Sequence, residues 1–261
     1  MKAQAVAAVF RFEWNRTLTV PRMAWWLALV LFPSALVVLI RSQSNVPEDP
    51  HIWPLLFLFL IPGVVCLMGL LLWATPAIQT ELEGKTWTYL AVRPGGKTAV
   101  LVGKYLTAVT WTLLAGWMAL VLAVILASPP NTIGDWIAMA GLVLLSCMAY
   151  GAVFLFIGVV FRQRPMVVAL VYTLIFEVLL GNVPAMINEL TVQYRLRMLL
   201  VQWLGWTIEG LPQGPKQFLQ AYMSDVPAWQ HVAVLVAGAA VLLTVTAFIL
   251  RQRELVASED E

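Results

Sequence analysis

The stretch WIAMAGLVLLSCMAYGAVFLFIGVVF, residues 136–161, contains no charged residue and decides the fold class. Comparable charge-free stretches of roughly 18 to 31 residues lie at 23–40, 50–80, 105–134 and 226–250, and each is about long enough for a helix to cross ~30 Å of hydrocarbon. A sixth stretch, 165–188, is interrupted by Glu177 alone. These six runs predict a multi-pass membrane protein.

The composition supports this prediction. Hydrophobic residues make up 61% of the chain and charged residues 11%, with a mean hydropathy of +0.84, which leaves too little polar surface for a soluble globule. Backbone amides in lipid must be bonded within a helix or a closed barrel, and the runs lack the alternation of barrel strands. The predicted fold is therefore all-α, a polytopic bundle of six spans at about 23–41, 52–76, 104–127, 135–161, 165–187 and 228–250.

The distribution of cations predicts the orientation. Twelve of the 16 Lys and Arg residues flank alternate gaps on one side: Lys2, Arg11, Arg16, Arg22, Lys85, Arg93, Lys97, Lys104, Arg162, Arg164, Arg251 and Arg253. Because cytoplasmic loops are enriched in positive charge, both termini are predicted in the cytoplasm, with segment 1–22 ahead of the membrane domain 23–250 and a tail at 251–261. The cations are dispersed rather than clustered, which excludes a nucleic-acid partner.

The segment before the first span has the pattern of a helix lying in the membrane interface. Val6, Phe10 and Trp14 recur every fourth residue, whereas Arg11 lies elsewhere on the helical wheel. Glu13 is an exception, because it falls near the apolar stripe. The alternative is a plain continuation of the first span into the cytoplasm.

The loop between the second and third spans, TELEGKTWTYLAVRPGGKTAVLVGKYL at 80–106, predicts a helix, a turn and a second helix. Thr80 and Glu83 have the spacing of a capping box, and Pro94 with the two following glycines favours a turn. The loop is either an ordinary hairpin solvated by its charges or a docking element for a cytoplasmic partner. The apolar contacts of that docking element would be Trp87, Tyr89 and Leu90.

An acidic pair, a Gly, a Thr, a short apolar stretch, a Pro and a Gly-Lys pair follow one another through this loop. They are Glu81, Glu83, Gly84, Thr86, Tyr89, Leu90, Pro94, Gly103 and Lys104. This pattern resembles the signature of ABC-2 type transporter permeases, in which it connects the second and third of six spans. Arg93 and the Gly95-Gly96-Lys97 run depart from the usual pattern without disturbing the hairpin.

The resemblance implies the permease subunit of an ATP-binding cassette transporter, in a plasma membrane such as the bacterial inner membrane, with export as the commoner direction. It also implies that a second permease chain, identical or different, completes the pathway. A separate ATPase subunit, which uses ATP and Mg²⁺, would dock on the N-terminal helix through Phe10 and Trp14 and on a coupling helix in the loop. The coupling residues implied are Glu81, Glu83, Gly84, Thr86, Trp87, Tyr89, Leu90 and Pro94.

The sequence offers no catalytic or cofactor site of its own. Residues 96–98, Gly-Lys-Thr, match the end of a phosphate-binding P-loop, but Ala91 stands where that pattern requires a Gly. His51 and His231 have no Cys, Asp or Glu at metal-ligand or triad spacing. We therefore expect no enzyme activity and no metal or cofactor in this chain.

Glu177 is the one ionisable residue well inside a predicted span, where a charge costs at least ~2.5 kcal/mol. It is a candidate pathway or gating residue; a structural pair with a hydroxyl or cation, a protonated carboxyl or a shallower position are the alternatives. The following region, 192–211, carries too much charge to span, and is predicted either as an interfacial or re-entrant helix or as an outer surface loop.

Two further functional classes stay open. An ion-coupled secondary transporter or channel subunit would call for more intramembrane ionisable groups than Glu177 alone. A membrane scaffold or enzyme subunit is the other class. All three place the chain in contact with membrane lipid.

Overall fold

The computed structural model of the protein describes residues 3–42, 52–83, 95–129, 133–161, 163–182, 186–206 and 226–252. Within these ranges the regular structure is entirely helical, which confirms the all-α prediction. The helices, numbered in chain order, are α1 (Ala3–Thr17), α2 (Val20–Arg41), α3 (Ile52–Trp73), α4 (Gln79–Glu83), α5 (Gly96–Ala127), α6 (Ile133–Val160), α7 (Pro165–Leu179), α8 (Val192–Trp203) and α9 (Ala228–Gln252).

Five of these helices, α2, α3, α5, α6 and α9, are long and apolar enough to cross a membrane, which indicates a multi-pass membrane protein. They correspond to five of the six predicted spans. The sixth, predicted at 165–187, falls on the shorter helix α7, which ends at Leu179 and is followed by the 3₁₀ turns Leu180–Asn182 and Met186–Leu190. The count of six spans is therefore not confirmed.

Helices α2 and α5 run in the same direction. In the first half of α2, Trp26 Nε1 donates to the carbonyl oxygen of Trp111, in the middle of α5, at 3.2 Å. At the opposite end, Arg41 Nη2 donates to the carbonyl oxygen of Ala127, the last residue of α5. Because the last carbonyls of a helix have no partner within the helix, the guanidinium supplies a donor that α5 lacks.

Helix α6 runs antiparallel to α5 and is the most buried of the five long helices. Tyr105 OH donates to the carbonyl oxygen of Met148 at 2.9 Å, and Trp117 Nε1 donates to that of Ala140 at 3.2 Å. The residue number on α6 falls as the residue number on α5 rises, so the two helices run antiparallel. The core of the bundle is therefore built around α5 and α6.

Helix α1 and the C-terminal end of α9 lie at the same end of the bundle, which we call the α1 end. α1 packs on the beginning of α5, where Gly103 faces Val9. At the end of α9, Arg251 Nη2 donates to Thr98 Oγ1 at 3.2 Å, also at the beginning of α5. Gly95, just before α5, has a φ of +74°, a left-handed conformation that glycine adopts at little cost and that suits the predicted turn.

Helices α7 and α8 traverse the bundle as two consecutive short pieces. α7 begins at the α1 end, and near its end Glu177 reaches Tyr150 in the second half of α6. α8 begins beside Glu177 and ends where Trp203 packs against Gly141, near the opposite end. Most of α8 is buried. Of the region 192–211, predicted as an interfacial or re-entrant helix or as a surface loop, residues 207–211 lie outside the described residues.

Candidate functional site

A buried ionic cluster joins α1, α4 and α5 at the α1 end. Lys104 Nζ, on α5, lies 2.8 Å from Glu13 Oε1 on α1 and 2.9 Å from Glu81 Oε1 on α4. The side chains of Lys104 and Glu81 are each 3% exposed. One ammonium group therefore holds two carboxylates from distant parts of the chain in a largely buried site.

Arg16 completes the charge balance of this cluster. Its Nη1 donates to Glu81 Oε1 at 2.7 Å and lies 3.8 Å from Glu13 Oε1, so that two cations face two carboxylates. The Arg16 side chain is 39% exposed and connects the buried pair to the surface. Desolvation offsets much of the attraction in such clusters, but removing one buried partner costs about 3–5 kcal/mol.

The neighbouring glycine allows the close contact between α1 and α5. A Cβ atom placed on Gly103 would lie 2.6 Å from Val9 Cγ1 and 2.8 Å from Val9 Cβ, distances that real Cβ atoms do not adopt. Gly103 and Lys104 thus act together: the glycine lets α1 approach, and the lysine binds the carboxylate that α1 presents.

An aromatic chain extends the same interface. Phe10 stacks on Trp14 with ring centroids 5.7 Å apart, and Trp14 meets the edge of Trp111 on α5 at 5.2 Å. Trp26 of α2 also contacts Trp111, with ring centroids 5.6 Å apart. The predicted interfacial residues Phe10 and Trp14 therefore pack on the membrane helix α5, and each is half-buried.

The predicted coupling residues fall into two groups. Glu81 is in the cluster, whereas Glu83 is exposed and its Oε1 accepts a hydrogen bond from Gln79 Nε2 at 2.8 Å. The others, Gly84, Thr86, Trp87, Tyr89, Leu90 and Pro94, lie outside the described residues.

Sequence reasoning missed that Glu13 and Arg16 belong to this site. Glu13 did give a signal, since it interrupts an apolar stripe, and a carboxylate in that position calls for a buried cation. The cation is Lys104, which is 91 residues away along the chain. No local pattern identifies a partner at that separation.

Glu177 lies apart from the cluster, in the π-helical segment Thr173–Leu179 of α7, and is 4% exposed. Its carboxylate accepts hydrogen bonds from Tyr150 OH at 2.9 Å and Tyr172 OH at 3.2 Å. It also accepts from the backbone N–H groups of Val192 at 3.3 Å and Gln193 at 3.0 Å.

The Glu177 carboxylate therefore supplies the hydrogen-bond acceptors for the first turn of α8. The first N–H groups of a helix have no partner within the helix and carry partial positive charge, so a carboxylate placed there stabilises it. Thr191 adds a conventional cap, because its Oγ1 accepts from the backbone N–H of Tyr194 at 3.2 Å. The geometry gives Glu177 the structural partners that sequence reasoning left as an alternative, with hydroxyls and backbone amides in place of a cation.

Among the described residues, no group of His, Cys, Asp and Glu side chains is arranged to hold a metal ion. Comparison with known proteins supplies no further guide: no family model matches the chain, and no curated protein matches it.

Proposed function

We propose that this chain is the membrane-spanning permease subunit of an ABC-2 type ATP-binding cassette transporter, and that the complex exports its substrate. The observation that carries the proposal is the ionic cluster of Glu13, Arg16, Glu81 and Lys104. It connects the N-terminal helix and the start of the loop to a long apolar helix, as the transmission of force from a partner into the membrane requires.

The cluster supports force transmission because separating its buried charged groups has a large free-energy cost. Moving Glu81 away from Lys104 would break a 2.9 Å ion pair between two side chains that are each 3% exposed, and breaking such a buried pair costs several kcal/mol. A partner that pushes on α1 or on the loop after α4 therefore moves the beginning of α5 with them. Gly103 and the Phe10–Trp14–Trp111 contacts add a close, apolar interface to the same joint.

In this proposal the ATPase is a separate subunit that uses ATP and Mg²⁺ and docks on α1 and on the loop through Glu83 to Leu90. Closure of two ATPases on ATP would tilt these elements and change the access of the pathway, which two permease chains form together. The α1 end is then cytoplasmic, as the positive-inside rule favours, in a plasma or bacterial inner membrane. The α7–α8 pair would supply the sixth crossing.

Purification of the tagged chain in a mild detergent tests the proposal. We expect an ATPase with Walker motifs to be recovered with it, and Glu83→Arg or Trp87→Asp to abolish the recovery. The matched control is Asp135→Arg, the same charge change in the first turn of α6 at the opposite end. No associated ATPase under gentle extraction, or equal loss with Asp135→Arg, contradicts the proposal.

A second candidate, an ion-coupled transporter or channel subunit, is favoured by one observation, the buried carboxyl of Glu177. In that case transport would follow an ion gradient and persist without ATP. Measuring uptake into vesicles with an imposed proton gradient and no nucleotide separates the two functions.

A further inference from the structure

We propose that a cavity beside the ionic cluster binds the phosphate group of an anionic phospholipid, drawn from the leaflet at the α1 end. The cavity has a volume of about 160 Å³, which is room for more than a single water molecule. It lies among α1, α2, the end of α3 and the first half of α5. The inference does not depend on transport activity.

The walls of the cavity combine an apolar side with cations. Leu72, Trp73 and Ala108 form part of the apolar side. The charged residues that line the same space are the cations Arg16, Arg22 and Lys104 and one carboxylate, Glu13, which Lys104 binds. A phospholipid presents the same combination, because its charged phosphate is joined to an apolar glycerol ester and acyl region. A small soluble anion would gain nothing from the apolar side.

One residue of the cavity wall carries a buried hydrogen-bond donor without a partner among the described residues. Trp111 lines the cavity and is 5% exposed, yet its indole Nε1 has no hydrogen-bond partner among the described residues. A buried N–H without an acceptor costs about 1–3 kcal/mol, so a ligand that brings an acceptor oxygen is favoured. Phosphate oxygens are strong acceptors.

The hydroxyl groups of the cavity do not compete for that ligand as donors. Thr17, Thr80 and Thr107 all line it, and each hydroxyl donates to a backbone carbonyl of its own segment at 2.7, 3.0 and 2.9 Å. The donors that remain for a ligand are cationic groups and the indole N–H groups of Trp25, Trp73 and Trp111, and among these indoles the Trp111 N–H is the buried one without a partner in the described residues. This set selects an anion over a neutral headgroup.

Charge complementarity fits a phosphodiester. Among the described residues the ionic cluster pairs two cations with two carboxylates, whereas Arg22 forms no ion pair with them; its Nη1 donates to the carbonyl oxygen of Arg16 at 3.3 Å. The cavity therefore carries about one excess positive charge, and a phosphodiester carries one negative charge.

The position of the cavity selects a lipid. Arg22 lies in the first turn of the apolar helix α2, and Trp25, one turn later, also lines the cavity and is 63% exposed. Trp and Arg at the end of a membrane helix lie at the level of the lipid headgroups. The mouth of the cavity is therefore placed where phospholipid phosphates are abundant.

Native mass spectrometry of the detergent-solubilised chain, titrated with phosphatidylglycerol or phosphatidylcholine, tests the inference. We expect phosphatidylglycerol to bind more tightly. Arg22→Gln should weaken its binding about tenfold, the factor for the loss of one charge-assisted hydrogen bond. Arg11→Gln is the matched control, because Arg11 is exposed on α1 and does not line this cavity; we expect it to leave binding unchanged.

A second pair of variants tests the indole. Trp111→Phe removes the N–H without taking a hydrogen bond from the protein, and should weaken phosphatidylglycerol binding. Trp117→Phe, on the same helix but bonded to Ala140, should not. Equal binding of the two lipids, equal effects within either pair, or displacement of the lipid by millimolar inorganic phosphate would overturn the proposal.

Discussion

Lys104 is the residue on which the ionic cluster depends, because its ammonium group contacts both carboxylates. Lys104→Met would leave Glu13 and Glu81 with Arg16 as their remaining cation in the cluster. We expect the free energy of unfolding to fall by about 3–5 kcal/mol, as for other broken buried pairs. The midpoint of thermal unfolding in detergent measures the loss.

Two further variants make this prediction specific. Lys97→Met removes a less buried lysine from the same helix, whose Nζ donates to the carbonyl oxygen of Arg251 at 3.4 Å, and should cost only about 0.5–1.5 kcal/mol. Glu81→Gln in the Lys104→Met background should recover part of the loss, because it removes the repulsion between the two carboxylates that Lys104 had held together. If Lys104→Met and Lys97→Met destabilise equally, the cluster does not contribute as described.

A second prediction at the scale of single residues concerns Gly103. Gly103→Ala would press its Cβ against Val9 and should destabilise the protein by about 1–3 kcal/mol, the usual cost of overpacking. Gly238→Ala is the control: a Cβ there meets nothing within 4 Å, so the better helix propensity of alanine should stabilise α9 by up to about 1 kcal/mol. Recovery in the double variant Gly103→Ala/Val9→Ala would locate the strain.

The sequence could predict only part of the role of Gly103 and Lys104. Gly103 and Lys104 stand out as part of a recognisable loop pattern, but the pattern does not name what they touch. Their contacts, Val9 and Glu13, come from a helix some 90 residues earlier, and only the packing of α1 on α5 brings them together. Local periodicity predicts a helix well and its tertiary partner hardly at all.

At the scale of elements, Glu177 connects α7 to α8. Glu177→Ala would leave the N–H groups of Val192 and Gln193 and two tyrosine hydroxyls without their acceptor. We expect faster hydrogen exchange in the first turn of α8, measured by mass spectrometry, and a loss of about 1–3 kcal/mol for each unsatisfied buried group.

Glu177→Gln separates the structural role from a role in the pathway. The amide keeps one acceptor oxygen, so exchange in α8 should rise far less than in Glu177→Ala. Glu189→Ala, an exposed acid two residues before the cap Thr191, serves as the control. Transport that falls in Glu177→Gln while exchange stays low assigns the residue to the pathway, and wild-type transport in that variant removes it.

The sixth predicted span shows what could not be predicted from the sequence. Five spans were predicted from charge-free runs, and five long apolar helices lie on them. The run 165–188 was predicted as a sixth span, but α7 ends at Leu179. The prediction failed there because hydropathy measures the length of an apolar run and does not show where the backbone turns. The buried position of α8 was equally hidden, since Arg195 and Arg197 favour an exposed helix on composition alone.

At the scale of the whole molecule, the bundle predicts which segments share a side of the membrane. Gln163, before α7, and Gln252, at the end of α9, belong to the α1 end, whereas Ser42, after α2, belongs to the opposite end. Cys66 and Cys147 are fully buried, so each of Ser42→Cys, Gln163→Cys and Gln252→Cys reports alone with a membrane-impermeant maleimide. We expect the cysteines introduced at positions 163 and 252 to be labelled from the same side of the membrane, and the cysteine at position 42 from the other side.

This experiment also decides the number of crossings. α9 crosses once, so Gln163 and Gln252 share a side only if α7 and α8 together cross once more between them. Labelling of the two from opposite sides would mean that α7 and α8 return to the side where α7 begins, and that the chain crosses five times. In sealed inverted vesicles, the positive-inside rule further predicts that the Gln163 and Gln252 side is the cytoplasmic one, where an ATPase would find α1 and the loop after α4.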